Sequence, residues 1–450
     1  MIDFAAVGTP QQALIRLNII PRDQHCISRK NISDGALKVM SRLRSSGHQA
    51  YLVGGAVRDL LLGGHPKDFD IATDATPEAV TELFRNSRII GRRFRIVHVR
   101  FGREIIEVTT FRGHHDSGDS GSHQPETGGN HSRQSASGLL LRDNVYGTLE
   151  EDAARRDLTV NALYYDSGKF EVYDHVHGLQ DLNERSVCII GDPEQRYTED
   201  PVRMLRVVRF AAKLDFSINA QTAAAIPRCA PLLSEIPAAR LFDEFLKLFL
   251  SGYAAATLEK LLEYDLLCYL FPDTSHFIQE DEKALALVRA AMANTDQRIA
   301  QDKPVTPAFI LAALLWPVVS DHYNRLEEQG ESPIPAMHTA GQIAIQDTVN
   351  HMSIPRRFSQ PMREIWEFQL RLQRRTGRKA AELIEHRRFR AAYDFLLLRE
   401  QAGEETGDLG QWWTDLQELS PEQRLEKVAT SRDGRKRSGR TRKRRPNATT

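Results

Sequence analysis

Apolar residues cluster in short runs over the first third of the chain and recur at helical spacing over most of the rest. Leu37, Met40 and Leu43, with Ala36 and Val39, repeat at three- and four-residue intervals between Ser33-Asp34 and Gly47. This pattern predicts an amphipathic helix capped by Ser33 or Asp34. Ala50-Tyr-Leu-Val53 predicts a short strand, Gly54-Gly55 a turn, and Val57, Leu60 and Leu61 a short helix. Phe94 to Phe101 and Glu104 to Phe111, joined by Gly102-Arg103, predict a hairpin. From Glu150 to about residue 400 the period is mainly helical, clearest in Pro201 to Lys213 and Arg387 to Arg399. No unit of 20 to 50 residues repeats, so a solenoid is excluded.

The expected class is α+β. A loose leader (1–30) precedes a mixed-sheet domain (31–165), a helical neck (166–270), a helical body (271–430) and a tail (431–450). Inside the mixed domain, 16 of the 26 residues from Gly113 to Gly138 are Gly, Ser or His, which predicts a mobile loop over 113–138. That loop contains His114-His115-Asp116, but no second Asp or His on a nearby element completes a metal site.

Composition narrows the class. With 450 residues, 41% hydrophobic and 27% charged, the chain fits an ordinary soluble protein of two or three domains. The apolar stretch Phe309 to Val319, 11 residues with Pro317 among them, falls well short of the roughly 20 that a membrane span needs, so a buried helix is expected. The first residues lack a basic n-region followed by an apolar h-region, which speaks against secretion. Cys26, Cys188, Cys229 and Cys268 are scattered without metal-ligand spacing, as expected of a cytoplasmic protein. The net charge of zero hides an asymmetry: Arg432 to Thr450 holds nine Lys/Arg against Asp433 alone, leaving the body at −8. Such a tail cannot build a core and should be disordered, with a polyanion as its natural partner. A merely solubilising terminus is the alternative.

The chemistry centres on Lys67-Asp68-Phe69-Asp70-Ile71. On a strand, residues two apart share a face, so Asp68 and Asp70 would project together while Phe69 and Ile71 enter the core. Two carboxylates on one rigid face suit Mg²⁺, which usually takes one or two of them plus substrate phosphates. Shortly before them, Gly54 and Gly55 would let backbone N–H groups approach a triphosphate at a helix start, or simply make a tight turn. Asp200, followed by Pro201, has the form of an N-cap. Arg203, Arg206, Arg209 and Lys213 make a basic stripe that a solvated helix face would also show.

Taken together, Leu52 to Asp59, Lys67 to Thr73, Ile105 to Arg112, Glu151 to Ala162 and Glu199 to Phe210 resemble the bacterial family of poly(A) polymerases and tRNA CCA-adding nucleotidyltransferases. Gly91 to Val99, Arg387 to Asp394 and the basic tail resemble its poly(A) polymerase branch. The resemblance implies a palm of the DNA polymerase beta type, a helical neck and body, ATP as substrate, and Mg²⁺ or Mn²⁺ as metal. It implies catalytic roles for Asp68, Asp70 and Asp157, with Asp68, Asp70 and Glu107 at the metal. Gly54, Gly55, Arg58, Arg155, Arg156, Asn161, Asp200, Arg203 and Arg206 are the expected nucleotide-binding residues, with Asp157 and Asn161 on one helix face. Arg435, Lys436, Arg437, Arg440, Arg442, Lys443, Arg444 and Arg445 are the expected RNA contacts. For Glu107 the plain alternative is an exposed strand residue.

The expected activity is template-independent addition of AMP to RNA 3′ ends, in mRNA processing and RNA turnover. A CCA-adding enzyme is the alternative within the family, and an inactive RNA-binding protein the alternative outside catalysis. The intact Asp68/Asp70 pair disfavours the latter, and the basic tail disfavours a nucleotidyltransferase acting on a small molecule or protein. RNA-decay proteins are an open class of partner, and the oligomeric state is not set.

Overall fold

The computed structural model describes residues 17–91, 95–113, 133–134, 140–142 and 145–430. The chain separates into two compact units, one ending at Leu233 and the other beginning at Ser234. The break falls inside the stretch expected to form one neck domain.

The first unit is built on a mixed sheet of eight strands. In chain order they are β1 (Asn18–Ile20), β2 (Ala50–Val53), β3 (Asp70–Thr73), β4 (Ser87–Ile90), β5 (Ile96–Phe101), β6 (Glu104–Thr110) and, after a short ribbon of β7 (Arg133–Gln134) and β8 (Leu140–Arg142), β9 (Leu163–Asp166) and β10 (Glu171–Asp174). The order across the sheet is β1-β10-β9-β2-β3-β6-β5-β4. Every pairing within it is antiparallel except β3 with β6, which places Asp70 beside Glu107 and Ile71 beside Val108. The β5–β6 hairpin turns at Gly102-Arg103 as its sequence predicts.

Helix α1 (Asp34–Ser45) buries Ala36, Val39, Met40 and Leu43, and the Ser33 hydroxyl caps it by accepting from the Ala36 N–H at 3.1 Å. The centre of the sheet is fully buried at Leu52, Ile71, Leu163 and Tyr164. The helices that follow in this unit are α2 (Gly55–Leu61), α3 (Pro77–Leu83), α4 (Leu149–Arg155), α5 (Gly178–Asn183), α6 (Pro193–Glu199), α7 (Val202–Leu214) and α8 (Ala220–Cys229).

Two expectations are corrected here. The leader is not wholly loose, because Asn18–Ile20 pairs with Asp174–Val172 and supplies an edge strand. The sheet does not end by residue 165: β9 and β10 complete it within a region that is otherwise mainly helical. Leu163-Tyr-Tyr-Asp166 is buried at all four positions. A strand covered on both faces shows no two-residue alternation to betray it.

The second unit is helical. Its longest helix, Pro307–Glu328, carries the apolar run, and Ile310 to Val319 are all buried. Trp366 on helix Arg356–Leu372 donates its indole N–H to the Ala312 carbonyl at 3.1 Å, and Trp413 donates to Leu372 at 2.9 Å. Among the described residues no helix is long and apolar enough to cross a membrane.

Candidate active site

Strand β2 ends at Val53 and the backbone turns sharply at Gly54, whose φ of 77° and ψ of −135° lie outside what a side chain tolerates. Two guanidinium groups stand over the turn. A β-carbon at Gly54 would meet Arg156 Nη1 at 3.6 Å, and one at Gly55 would meet Arg58 Nη2 at 3.5 Å. The Gly54 N–H itself donates to the Leu163 carbonyl at 3.3 Å, so it anchors the turn to β9.

Across from this turn lie the carboxylates. Asp68 is exposed, Phe69 buried, Asp70 partly buried and Ile71 fully buried, the alternation expected of the motif, although the strand itself begins only at Asp70. Asp70 is the in-register neighbour of Glu107 on a parallel pair, so both side chains leave one face of the sheet. Burial, then Glu107 and Asp68, push the Asp70 carboxyl up to about 6, with Arg156 opposing them. Glu107 also approaches His98 across β5, with Oε1 and Nε2 3.2 Å apart but poorly aligned for a hydrogen bond. Among the described residues no three acidic, His or Cys side chains converge into a ready-made metal cage. Asp70, with the acidic Glu107 and Asp68 beside it, nevertheless fits a divalent cation that completes its shell with phosphate oxygens.

This crowding has a thermodynamic consequence for the metal-free protein. The folded chain holds the Asp70 proton more tightly than the unfolded chain, whose carboxyl titrates near 3.8. The ionisation penalty is therefore absent below pH ~4, grows between pH ~4 and ~6, and is complete above that. Asp70→Asn should stabilise the metal-free protein by up to about 2–3 kcal/mol at pH 7.5 and by almost nothing at pH 4. Urea unfolding in chelator at the two pH values checks this; equal effects at both would mean that the fold does not hold the Asp70 carboxyl above its ordinary value.

Beside the acidic group lies a basic one. The end of α4, at Arg155, leads into an extended Arg156. Arg156 donates to Asp152 Oδ2 at 3.1 Å and to the Tyr164 hydroxyl at 2.9 Å. Burial works against its charge, but Tyr164 and Asp152 outweigh burial and hold its pKa above the ordinary arginine value. Arg196 donates to the Arg155 and Arg156 carbonyls, at 2.7 Å each, and to Glu199 at 2.7 Å. Arg203 donates to the same Glu199 oxygen and to the Arg196 carbonyl, both at 2.8 Å. Burial, with Arg112, Arg196 and Arg203 close by, depresses the Arg155 pKa to about 10, and burial with Arg203 does the same to Arg196. Arginines whose charge is disfavoured by burial and by cationic neighbours are chemically suited to an anion.

Arg58 is 1% exposed and donates to Asn161 Oδ1 at 2.5 Å and to Asp59 Oδ1 at 2.6 Å. Asp157 accepts from Arg206 Nε at 2.6 Å. Burial raises the Asp157 pKa, but Arg206 and the Leu158 N–H leave it below the ordinary carboxylate range.

Asp157 and Asn161 do not share a helix face, as the four-residue spacing suggested. α4 has already ended and Asn161 closes a separate 3-10 turn, Thr159–Asn161. The charged neighbours felt by Asp70 are Glu107, Arg156 and Asp68.

The backbone around Asp200 has the form its sequence suggested: Asp200 is extended, Pro201 is already helical, and the Arg203 N–H donates to the Asp200 carbonyl at 3.0 Å. The basic stripe is not a solvated face: Arg203 is buried on Glu199, Arg206 holds Asp157, and Arg209 lies 4.9 Å from the Phe210 ring. Sequence reasoning assigned no role to Asp152, Arg112, Arg196 or His98; the Asp152/Arg156 spacing of four was the one available signal. The tail residues Arg435 to Arg445, the His114-His115-Asp116 segment and most of the 113–138 loop lie outside the described residues.

The comparisons with known proteins bear on family and fold. The family described as "Poly A polymerase head domain" matches residues 50–188. "Probable RNA and SrmB- binding site of polymerase A" matches 215–278, and "Polymerase A arginine-rich C-terminus" matches 329–448. Poly(A) polymerase I of Salmonella typhimurium is 47% identical over 446 residues, covering 97% of this chain and 94% of the relative. The CCA-adding enzyme of Lactobacillus helveticus is 36% identical over 231 residues, 51% of this chain and 53% of that one. Among solved structures, the Bacillus stearothermophilus CCA-adding enzyme in complex with CTP matches with a TM-score of 0.57 and 25% identity, over 85% of this chain and 82% of that one.

Fold and site thus define a nucleotidyltransferase with a mixed-sheet head and a helical body. Identity to the poly(A) polymerase branch of that class extends along nearly the whole chain, whereas identity to the CCA-adding relative stops at about half of it. The chain belongs to the poly(A) polymerase family.

Proposed function

We propose that this chain transfers AMP from ATP to the 3′ ends of RNA without a template, releasing pyrophosphate. The carrying observation is the placement of Asp68, Asp70 and Glu107 next to Arg156, which joins an acidic cluster to a basic one in a single site. Near-complete coverage of poly(A) polymerase I relatives supports adenylate addition, whereas the CCA-adding relative matches about half the chain.

In this reading Asp68 and Asp70, with Glu107 beside them, hold a divalent cation, Mg²⁺ or Mn²⁺. Bound there, the cation supplies Lewis-acid activation of the RNA 3′-hydroxyl and neutralisation of the leaving phosphates. The chain's own part is orientation. Arg155, Arg156 and Arg58 meet the triphosphate over the Gly54-Gly55 turn, where the absence of β-carbons keeps the approach open. Asp157 and Asn161 face the sugar, each fixed by an arginine: Arg206 for Asp157 and Arg58 for Asn161. Asp200 and Arg203 read the base, with Arg203 fixed by Glu199 and the Arg196 carbonyl. Incubation of the protein with an end-labelled, unstructured RNA and ATP should give a ladder of added adenylates. Ordered addition of C, C and A to a trimmed tRNA would instead make it a CCA-adding enzyme.

RNA partnership is expected to extend to the tail. Deleting residues 432–450 removes a charge of +8. RNA binding should weaken, and the log–log salt slope should flatten by about 0.7 for each phosphate that the tail would have neutralised. Turnover at saturating RNA should stay near wild type. An unchanged slope in the truncated protein would leave the tail a solubilising role only.

A further inference from the structure

Among the described residues, Phe210 offers one ring to three arginines. On α7, Arg206 and Arg209 lie 5.6 Å and 4.9 Å from its centroid, and Arg58 reaches it from α2 at 5.2 Å. The ring is not core. The core-facing residues of α7 are Met204, Leu205, Val207, Val208 and Ala211, whereas Phe210 stays partly exposed on the polar side. A partly exposed phenylalanine among cations offers them the electron-rich face of its ring in addition to the surface it buries.

The arginines it touches are those that aim the nucleotide-facing groups. Arg58 holds Asn161 at 2.5 Å, and Arg206 holds Asp157 at 2.6 Å. Crowding of positive charge here extends one turn on, to Lys213, where burial, Arg58 and Arg209 depress the ammonium against the opposing Asp59 and Asp68. Arg58 is already paired with Asp59 and Arg206 with Asp157, and the ring adds a further contact to each guanidinium. A shared quadrupole offers each of them a favourable surface without adding an anion that would compete for their donors.

We propose that Phe210 is a positioning residue for the nucleotide: its ring holds Arg58 and Arg206, and through them Asn161 and Asp157, in the orientation that receives ATP. The inference rests on the assignment of those four residues to the nucleotide site. It differs from a packing role in depending on the sign of the ring's quadrupole.

The test is RNA extension at saturating RNA with varied ATP, for wild type, Phe210→Leu, Phe210→Tyr and a protein carrying pentafluorophenylalanine at position 210. Fluorination reverses the quadrupole while nearly preserving shape, so it decides the matter even if the leucine variant folds poorly. The fluorinated and leucine proteins should show KM for ATP raised about 5- to 30-fold, with kcat and melting temperature far less affected. The tyrosine protein should stay within about twofold of wild type. A fluorinated protein with wild-type KM, or a tyrosine variant as impaired as leucine, would overturn the role of Phe210 alone. Wild-type protein unable to add adenylates at all would overturn the adenylyltransferase reading and this inference with it.

Discussion

Replacing Asp68 or Asp70 by alanine is expected to reduce adenylate addition by at least about 10²-fold at saturating Mg²⁺, with fold and RNA binding nearly intact. Neither change opens a cavity, because Asp68 is exposed and Asp70 sits at the edge of the core, whose positions here are Phe69 and Ile71. Asp70→Ala even relieves the repulsion with Glu107 and Asp68 that raises its own pKa. Loss of activity therefore cannot be ascribed to unfolding, and a melting curve beside the extension assay makes the separation explicit. Near-normal polymerisation by both variants would remove these residues from the active site. The comparison with Glu107→Gln is informative, because the Glu107 carboxylate also faces His98 at 3.2 Å and so has a second, structural neighbour on β5.

The second large effect is nucleotide choice. ATP should exceed GTP and UTP by about 10⁴-fold in kcat/KM, with CTP the main misincorporated nucleotide. A carboxylate accepts from the exocyclic amine of adenine and a guanidinium donates to the adjacent ring nitrogen; Asp200 and Arg203 are the pair proposed for this. Arg203 is well suited, since Nη1 is committed to Glu199 and the Arg196 carbonyl and the rest of the fork is thereby oriented. Cytosine presents the same amine and acceptor, so the pair alone cannot separate it from adenine. Guanine and uracil reverse both partners and would bury mismatched polar groups. Discrimination against CTP must come from the space a pyrimidine leaves unfilled, which is the weaker lever. Single-nucleotide extension assays measure all four ratios; efficient use of GTP would overturn this recognition scheme.

Much of the site was legible in the sequence because its parts are local. The Asp68-Phe-Asp70 alternation, the Gly54-Gly55 turn and the 94–111 hairpin depend on residues a few positions apart, and local backbone geometry fixes which of them share a face. The helix of residues 202–214 and the Ser33 cap were legible for the same reason. Elements that pair or bury themselves through distant partners were not. Leu163–Asp166 and Glu171–Asp174 lack alternation because both their faces are largely buried, and Asn18–Ile20 becomes a strand only when β10 offers it an edge.

The same division holds for the charges. Sequence shows four cations along residues 203–213, but spacing cannot tell a solvated stripe from one spent on buried partners. The tertiary fold decided it by bringing Glu199 to Arg203, Asp157 to Arg206, and the Phe210 ring to Arg58, Arg206 and Arg209. It also set Glu107 beside Asp70, through a parallel β3–β6 pairing that joins residues 37 positions apart. The chain by itself thus determined which chemical groups are present and which neighbours share a face. Which carboxylate meets which guanidinium was decided by sheet order and helix placement, because the strength of a charge pair depends on distance and burial and not on separation along the sequence.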